Sequence, residues 1–600
     1  MNTTTIQLTD KSFEGKRQLL PFLKRIFTQS FRYRKWSVIM IITVMMVAVV
    51  DSLFPLLWSY FLDDIVIPTL QSGSGEVNIF SGKFLEFIIL FSAMTVFNLL
   101  AVGVFIYATG QIQERVLYDL RNMMFNRLQE LSFSYYDRSA IGWLISRISS
   151  DTDRVAELIS WGFLGFIWGV FAISFSAVMM FLYSWKLAIL VMLSVPLMFL
   201  ISMRLRTLIV KYSRLARKLN SDMTASYNEN INGVEVNKST AQEEKAGRKF
   251  SVISSAMRNA SYKASFYSAI FFPMVIMVGS LAVIAVIYFG GKMSLVSHAA
   301  ISIGTLAAFF SYARFIFEPI TDITNFYAMA QNSLSAGERI FSLIDEKPDM
   351  VDSVNARDFA SINGEIEFQD VTFSYVNNRN ILEHFNLKIK AGESIALVGP
   401  TGEGKTTITS LVCRFYEQQS GKILIDGVDF REKTLHSFRD QLGVILQTPH
   451  LFNGTIRENV VYGKLNATQE EIETAMKMIG AEEFIARLDE PSGAEGANLS
   501  NGEKQLIAFA RVILKNPRIL IMDEATSSVD TIAEAKIQKG ISNLIKGRTS
   551  IIIAHRLSTI RNCNRILVIK QGEIEEEGSH DELIKLKGHY YELYTRQSRK

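Results

Sequence analysis

Six apolar runs constrain this chain more than any other feature of it. A bilayer-crossing helix needs about 17–25 predominantly apolar residues. Trp36–Tyr60, Phe84–Ala108, Ile159–Tyr183, Lys186–Met203, Phe266–Phe289 and Ala300–Tyr327 each meet that requirement. Inside lipid no water satisfies the backbone, so each run must be a helix. Short connectors join runs one and two, three and four, and five and six. The connectors after runs two and four are long, polar and helix-prone.

Basic residues fall on one side of this pattern. Lys16, Arg17, Lys24, Arg25, Arg32, Arg34 and Lys35 precede the first run. Arg115, Arg121, Arg127, Arg138, Arg147 and Arg154 fill the first long connector, and Arg204, Arg206, Lys211, Arg214, Arg217 and Lys218 the second. The short connectors "DDIVIPTLQSGSGEVNIFSGK" and "GGKMSLVSHAA" are poor in basic residues. The positive-inside rule therefore assigns both termini and both long connectors to the cytoplasmic side. The long connectors are expected as helical extensions below the membrane, ~20 helical residues covering ~30 Å. The stretch "KRQLLPFLKRIFTQSFRYRKW" is basic and amphipathic and has no small-residue cleavage pattern. It reads as an interfacial helix, not a removable signal.

A net charge of +4 over 600 residues argues against a general nucleic-acid binder. Cys413 and Cys563 are the only cysteines, too few for a disulfide framework or a Cys-rich metal site, and read as reduced thiols facing the cytosol. Periodicity vanishes in "EKPDMVDSVNARDFASING", a linker. Beyond it, "EIEFQDVTFSY", "SIALVG", "KILIDG" and "ILIMD" alternate with helical patterns, as in a largely parallel sheet covered by helices. The expected organisation is a membrane domain over residues 1–345, a linker over 346–363 and an α/β domain over 364–600.

The α/β domain carries the chemistry. "GPTGEGKTT" comprises Gly399, Pro400, Thr401, Gly402, Glu403, Gly404, Lys405, Thr406 and Thr407. It follows an apolar strand, opens a helix and fits the phosphate-loop pattern G-x-x-x-x-G-K-[ST]. The glycines let backbone N–H groups face an anion, Lys405 reaches the β/γ-phosphates, and the Thr406 hydroxyl suits Mg²⁺. In "RILIMDEATSSVD" a buried strand ends in Asp523 and Glu524, one suited to the Mg²⁺ shell and the other to polarising a water. His555 ends another apolar strand and reads either as functional or as a satisfied surface histidine. Gln447 in "VILQTPH" is a ligand for Mg²⁺ or water, or a plain loop amide. Tyr375 either stacks on adenine or fills a strand edge.

The ordered set resembles the ATPase domain of ABC transporters, with "LSNGEKQ" in the place of that family's LSGGQ motif and Asp530 ending the D-loop "SSVD". With six spans ahead of it, the whole chain resembles a half-size ABC exporter. The resemblance implies a multidomain fold, a six-helix α transmembrane domain followed by an α/β P-loop ATPase domain. It also implies that two ATPase domains close head-to-tail on two ATP molecules with Mg²⁺. Glu524 would then be the general base, His555 a contact to the γ-phosphate and Gln447 a sensor of Mg²⁺ and the membrane domain. Ser500 and Gly502 would cap the ATP held by the partner. "SYYDRSAIGWLISRISSD" and "NENINGVEVNK" resemble the bends that carry ATPase closure to the spans.

Two positions depart from the LSGGQ pattern: Asn501 stands for Gly and Glu503 for Gln. Upstream, Ala494 stands where the family usually has Glu. Every element serving this chain's own ATP is intact. That split resembles one member of a heterodimeric exporter, a homodimer being the alternative. Asp51 lies inside span one, where a charge is expensive and defaults to a functional hypothesis. Arg314 and Glu318, four apart in span six, are expected to pair. Phe309, Phe310, Tyr312, Phe315 and Phe317 either line a cavity or face lipid. The expected activity is ATP-driven export of hydrophobic or amphipathic compounds, multidrug efflux first, across a bacterial-type cytoplasmic membrane. A lipid flippase and an ATP-gated channel or sensor are the rivals. The partners are a second half-transporter, membrane lipid and a hydrophobic small molecule.

Overall fold

The computed structural model describes residues 21, 24–26, 28, 31–71, 82–296, 301–375, 379–523, 531–553 and 557–598. The chain divides into two compact units. One comprises residues 1–129 and 141–346, the other residues 130–140 and 347–600. Much of the expected interfacial helix, Lys16–Trp36, lies outside the described residues.

The described residues of the first unit are almost all helical. Among the described residues five helical segments are long and apolar enough to cross a membrane: Arg34–Gln71, Gly82–Glu130, Ile141–Tyr183, Trp185–Asn232 and Glu243–Ser294. The sixth run is divided into two helices, Ile303–Phe315 and Phe317–Ile344, with a break at Ile316. Pro319 explains the break. It is the third residue of the second helix, where the N–H it lacks has no intrahelical acceptor. Pro196 does the same at Leu193, between Trp185–Met192 and Ser194–Asn232.

The same break bears on Arg314 and Glu318. The expected pair does not form: the two lie on different helices, both exposed, and Arg314 instead sits over the Phe310 ring at 5.9 Å. The long connectors are continuous with the spans. Gly82–Glu130 runs 49 residues and Glu243–Val296 runs 54, ~75–80 Å at 1.5 Å per residue, well over twice the ~30 Å hydrocarbon core.

Packing in this unit relies on small residues and backbone-directed hydroxyls, since lipid gives helices no hydrophobic reason to associate. A side chain at Gly169 would come within 2.8 Å of the Pro319 carbonyl. Ser176 Oγ donates to Ser52 Oγ at 3.1 Å, and Tyr312 Oη donates to the Ser52 carbonyl at 2.6 Å. Leu99, Leu100, Leu182 and Leu193 stand exposed on the outer faces, an apolar surface that a monomer in water rarely presents.

Below the spans, Asp151 accepts two charge-assisted hydrogen bonds from Arg339, at 2.7 and 2.6 Å. The Asp151 side chain is only 5% exposed, and Arg154 stands 3.8 Å away as a second cation.

The second unit holds two sheets. β1 (Ile366–Phe373), β2 (Leu382–Ile389), β4 (Ser420–Ile425) and β5 (Val428–Asp429) form an antiparallel sheet in the order β2-β1-β4-β5. β3 (Ser394–Val398), β6 (Leu442–Ile445), β7 (Ile519–Asp523), β8 (Thr549–Ile553), β9 (Arg565–Lys570) and β10 (Glu573–Gly578) form the other, in the order β10-β9-β3-β8-β7-β6. All its pairings are parallel except β10 on β9. Every residue of β3 and β8 is buried, as parallel strands covered on both faces require. Cys413 and Cys563 are thiols, as expected, but both are buried. Burial pushes the Cys413 thiol up to about 12.

Arg339→Met leaves the nearly buried Asp151 carboxylate only Arg154, at 3.8 Å, and should destabilise the helical unit by up to ~3 kcal/mol. The double variant Asp151→Asn/Arg339→Met should recover most of that loss. Thermal unfolding of the two variants in the same detergent checks this, and equal losses would contradict it.

Candidate nucleotide-binding site

β3 ends at Val398, and the chain turns at once through Gly399 (φ 146°), Gly402 (φ 92°) and Gly404 (φ 103°) into the helix Lys405–Val412. These backbone angles are ones that glycine adopts without strain. At Gly399 a side chain would also run into the Ile569 carbonyl. Successive positive-φ glycines ahead of a helix start make a concavity for an anion. Glu403 ties the loop down: its carboxylate accepts the Gln571 N–H, and its carbonyl accepts the Gly572 N–H at 3.2 Å.

Lys405 is 6% exposed and its Nζ donates to the carbonyls of Gly399, at 2.7 Å, and Pro400, at 2.6 Å. Burial lowers its pKa, while the charges of Glu403 and Asp523 pull the other way. The ammonium is thus held over the loop's mouth by weak carbonyl acceptors. Thr401 and Thr406 are exposed, and Thr407 is buried with its hydroxyl against Tyr375 Oη at 3.2 Å.

The parallel register decides what else reaches this edge. Leu397 pairs with Ile553, and Ile553 with Asp523. Asp523 therefore lies two strands from the root of the phosphate loop, ~10 Å at the usual spacing. On the other side β6 pairs Ile445 with Met522, so the exposed Gln447 follows at the same edge. Ligands of open α/β sheets bind beyond these carboxyl ends. Glu524, Asp530 and His555 lie outside the described residues. In sequence Glu524 follows Asp523, and His555 comes two residues after β8.

Ser500 caps the helix Asn501–Lys515 in a reciprocal box. Its Oγ accepts the Glu503 N–H at 3.3 Å, and the Glu503 carboxylate accepts the Ser500 N–H at 2.8 Å. Desolvation works to raise the Glu503 pKa, but the Ser500 hydrogen bonds and Arg487, 3.1 Å away, outweigh it and hold the carboxyl below its ordinary value. Gly502 is buried and Asn501 exposed. Among the described residues Ser500 and Gly502 make no hydrogen bond to the phosphate loop.

Residues 130–140, which include the start of the first expected bend, cluster with the α/β unit, and the sequence does not name their partners there. In the helix Phe133–Arg138, the Phe133 ring lies 4.4 Å from that of Phe415. Asp137 accepts from Tyr416 Oη, and Arg138 stands 3.6 Å from Asp349. Burial, then the Asp137 charge, pushes the Tyr416 phenol far up. The Tyr416 ring meets Tyr375 edge-on at 5.1 Å, and Tyr375 reaches Thr407. The run Asp137–Tyr416–Tyr375–Thr407 thus connects the bend to the phosphate-loop helix. The sequence marks "SYYDRSAIGWLISRISSD" as a bend of this kind by resemblance, but not Phe415 or Tyr416 as its partners. The other bend, "NENINGVEVNK", turns at Gly233 into the short helix Val234–Ser239, which belongs to the helical unit.

Comparison with known proteins agrees with this geometry. Residues 37–320 match the ABC transporter transmembrane region, and residues 382–527 match the ABC transporter family. An ATP-dependent lipid A-core flippase of Desulfotalea psychrophila is 37% identical over 82% of this chain and 87% of its own length. A probable multidrug resistance ABC transporter ATP-binding/permease protein of Bacillus subtilis is 36% identical over 82% and 73%. A solved bacterial Atm1-family ABC exporter with ATP bound superposes with a TM-score of 0.75 at 26% identity, covering 94% of this chain and 98% of the other. The chain is a multi-pass membrane protein that binds and hydrolyses ATP to drive transport, and it belongs to the ABC transporters as a half-size exporter.

Proposed function

We infer that this exporter subunit moves hydrophobic or amphipathic compounds out of a bacterial cytoplasm or its inner leaflet, with multidrug efflux as the favoured cargo class. The similarity over most of the chain to a probable multidrug resistance transporter carries that reading. The similarity to a lipid A-core flippase favours the second, lipid flipping. The basic flanks of both long connectors support a cytoplasmic ATPase unit, residues 364–600 following a membrane domain over 1–345 and a linker over 346–363.

In this reading the Tyr375 ring stacks on adenine and the loop Gly399–Thr407 cradles the phosphates. Lys405 exchanges the Gly399 and Pro400 carbonyls for β/γ-phosphate oxygens, a better acceptor for an ammonium than a neutral carbonyl. Thr406, Asp523 and Gln447 present only oxygen donors of the hard type that Mg²⁺ prefers, and too few to form a cage without phosphates. Bound Mg²⁺ supplies positive charge to the bridging phosphate oxygens. Glu524 takes the proton of the attacking water, His555 orients the γ-phosphate, and Asp530 meets the opposite subunit.

Ser500 and Gly502 turn a helix N-terminus toward the ATP of a second half-transporter, so ATP binding closes two units and hydrolysis separates them. Asn501, Glu503 and Ala494 support a partner of different sequence. The bend 130–140 passes closure through Asp137 and Tyr416.

Glu524→Gln should retain ATP binding and lose turnover by ~10²–10⁴-fold; wild-type turnover would remove the assignment. Tyr375→Ala should raise the KM for ATP ~5–100-fold, the stacking contribution of one aromatic ring. Tyr416→Phe keeps the ring against Tyr375 and loses Asp137, so it should keep that KM while transported compounds no longer stimulate turnover. Steady-state ATPase assays with and without an amphipathic cargo separate the two effects. The chain purified alone in nanodiscs should show negligible turnover. A dimer of this chain alone with robust, Glu524-dependent turnover would establish a homodimer instead.

A further inference from the structure

Asp51 is a carboxylate in the middle of the first spanning helix, Arg34–Tyr60, and nothing in the ATP-driven cycle uses it. Its Oδ1 accepts the Asn98 Nδ2–H at 2.7 Å, and its Oδ2 accepts the Trp168 Nε1–H at 3.1 Å. Both donors are neutral. Among the described residues no lysine or arginine stands within ion-pair distance. A carboxylate has about four acceptor positions, so two are left over. A tie between helices would be served at lower cost by an uncharged side chain, because a charge at membrane depth is expensive.

Asp51 also lines a cleft of about 280 Å³, together with Phe54, Pro55, Trp58, Ser311 and Phe315. That is near the lower limit of small-molecule sites, roughly 300–1,000 Å³. Its chemistry is one-sided. Pro55 has no N–H for the Asp51 carbonyl, four residues back, so that oxygen is left without a helical donor. Ser311 spends its proton on the Ala307 carbonyl at 3.0 Å, so its oxygen can only accept from an occupant. Phe315 stands edge-on to Trp168 at 6.1 Å and Phe54 edge-on to Phe91 at 5.9 Å, which fixes the rings. No basic side chain lines the cleft. Carboxylate, carbonyl, hydroxyl oxygen and aromatic faces all attract positive charge.

We propose that Asp51 and the surrounding aromatic rings form a recognition site for lipophilic aromatic cations in the membrane half of this exporter. The proposal rests on the reading of the chain as an exporter of amphipathic compounds and assigns the charge of its cargo. The cation's apolar groups enter among Phe54, Trp58 and Phe315 while its positive centre meets the Asp51 carboxylate in place of water.

The test uses the full chain, with its partner subunit if turnover requires one, in nanodiscs. The probes are tetraphenylphosphonium and tetraphenylborate, ions of one shape and opposite charge, with lipid-only nanodiscs to subtract partitioning. The cation should bind at least about tenfold more tightly than the anion. Asp51→Asn should erase that preference by weakening the cation alone. Asn98→Leu and Trp168→Phe, which remove neutral donors but keep the charge, should retain it.

No charge preference in the wild-type protein overturns the proposal, and this measurement does not depend on any variant folding. Losses in Asn98→Leu and Trp168→Phe as large as in Asp51→Asn also overturn it, making Asp51 a helix tie. In both cases uncharged amphipaths that still stimulate ATP turnover leave the exporter reading standing. Failure of charged and uncharged amphipaths alike to stimulate turnover would remove that reading and this proposal together.

Discussion

β8 is the element on which the ATPase unit depends. Five buried residues, Thr549–Ile553, hydrogen-bond to β3 on one side and β7 on the other. Because all three run in parallel, their carboxyl ends come out together. The register through Ile553 then fixes the distance between the phosphate loop and Asp523. A slip of one residue would turn every side chain of the strand to the opposite face, and both cores prevent it: Ile551 and Ile553 belong to one cluster, Ile552 to the other.

The phosphate loop was legible because its chemistry is local. Glycines at fixed intervals, a lysine and a hydroxyl residue specify a turn and its charge without reference to the rest of the chain. The strand order β3-β8-β7 was not legible, since it crosses far-apart segments. The fold class could be read from apolar runs and their βαβ sequel, and the structure agrees with it. Span six shows where such reading fails. Hydropathy averaged over Ala300–Tyr327 hides one proline, and Pro319 breaks the helix at Ile316, between Arg314 and Glu318, which form no ion pair. Asp51 could be singled out as a charge in lipid, but Asn98 and Trp168, on two other helices, could not be named from its neighbours.

The two units use different cohesion for the same reason. In the α/β unit water is the alternative solvent, so branched apolar side chains dominate β3, β7 and β8. In the helical unit lipid is the alternative, and cohesion falls to close approach at Gly169 and to hydroxyls such as Ser52, Ser176 and Tyr312. Such contacts are weak and numerous. The Asp151–Arg339 pair is of another kind, a nearly buried carboxylate held at 2.7 and 2.6 Å by one guanidinium.

Glu503 bears on the proposed partner through charge, not shape. Glutamate and glutamine serve equally at the third position of a capping box, and here the box is complete. The substitution therefore leaves the helix start intact. What changes is the potential ahead of it. A carboxylate one turn from the N-terminus opposes the pull of the helix dipole on a phosphate facing it. Arg487 at 3.1 Å offsets part of that opposition, yet both side chains are partly exposed and solvent screens the pair. The end of the helix is left a weaker anion site of unaltered geometry. A second subunit with an uncharged residue in this place would give the nucleotide held by this chain the stronger of the two caps.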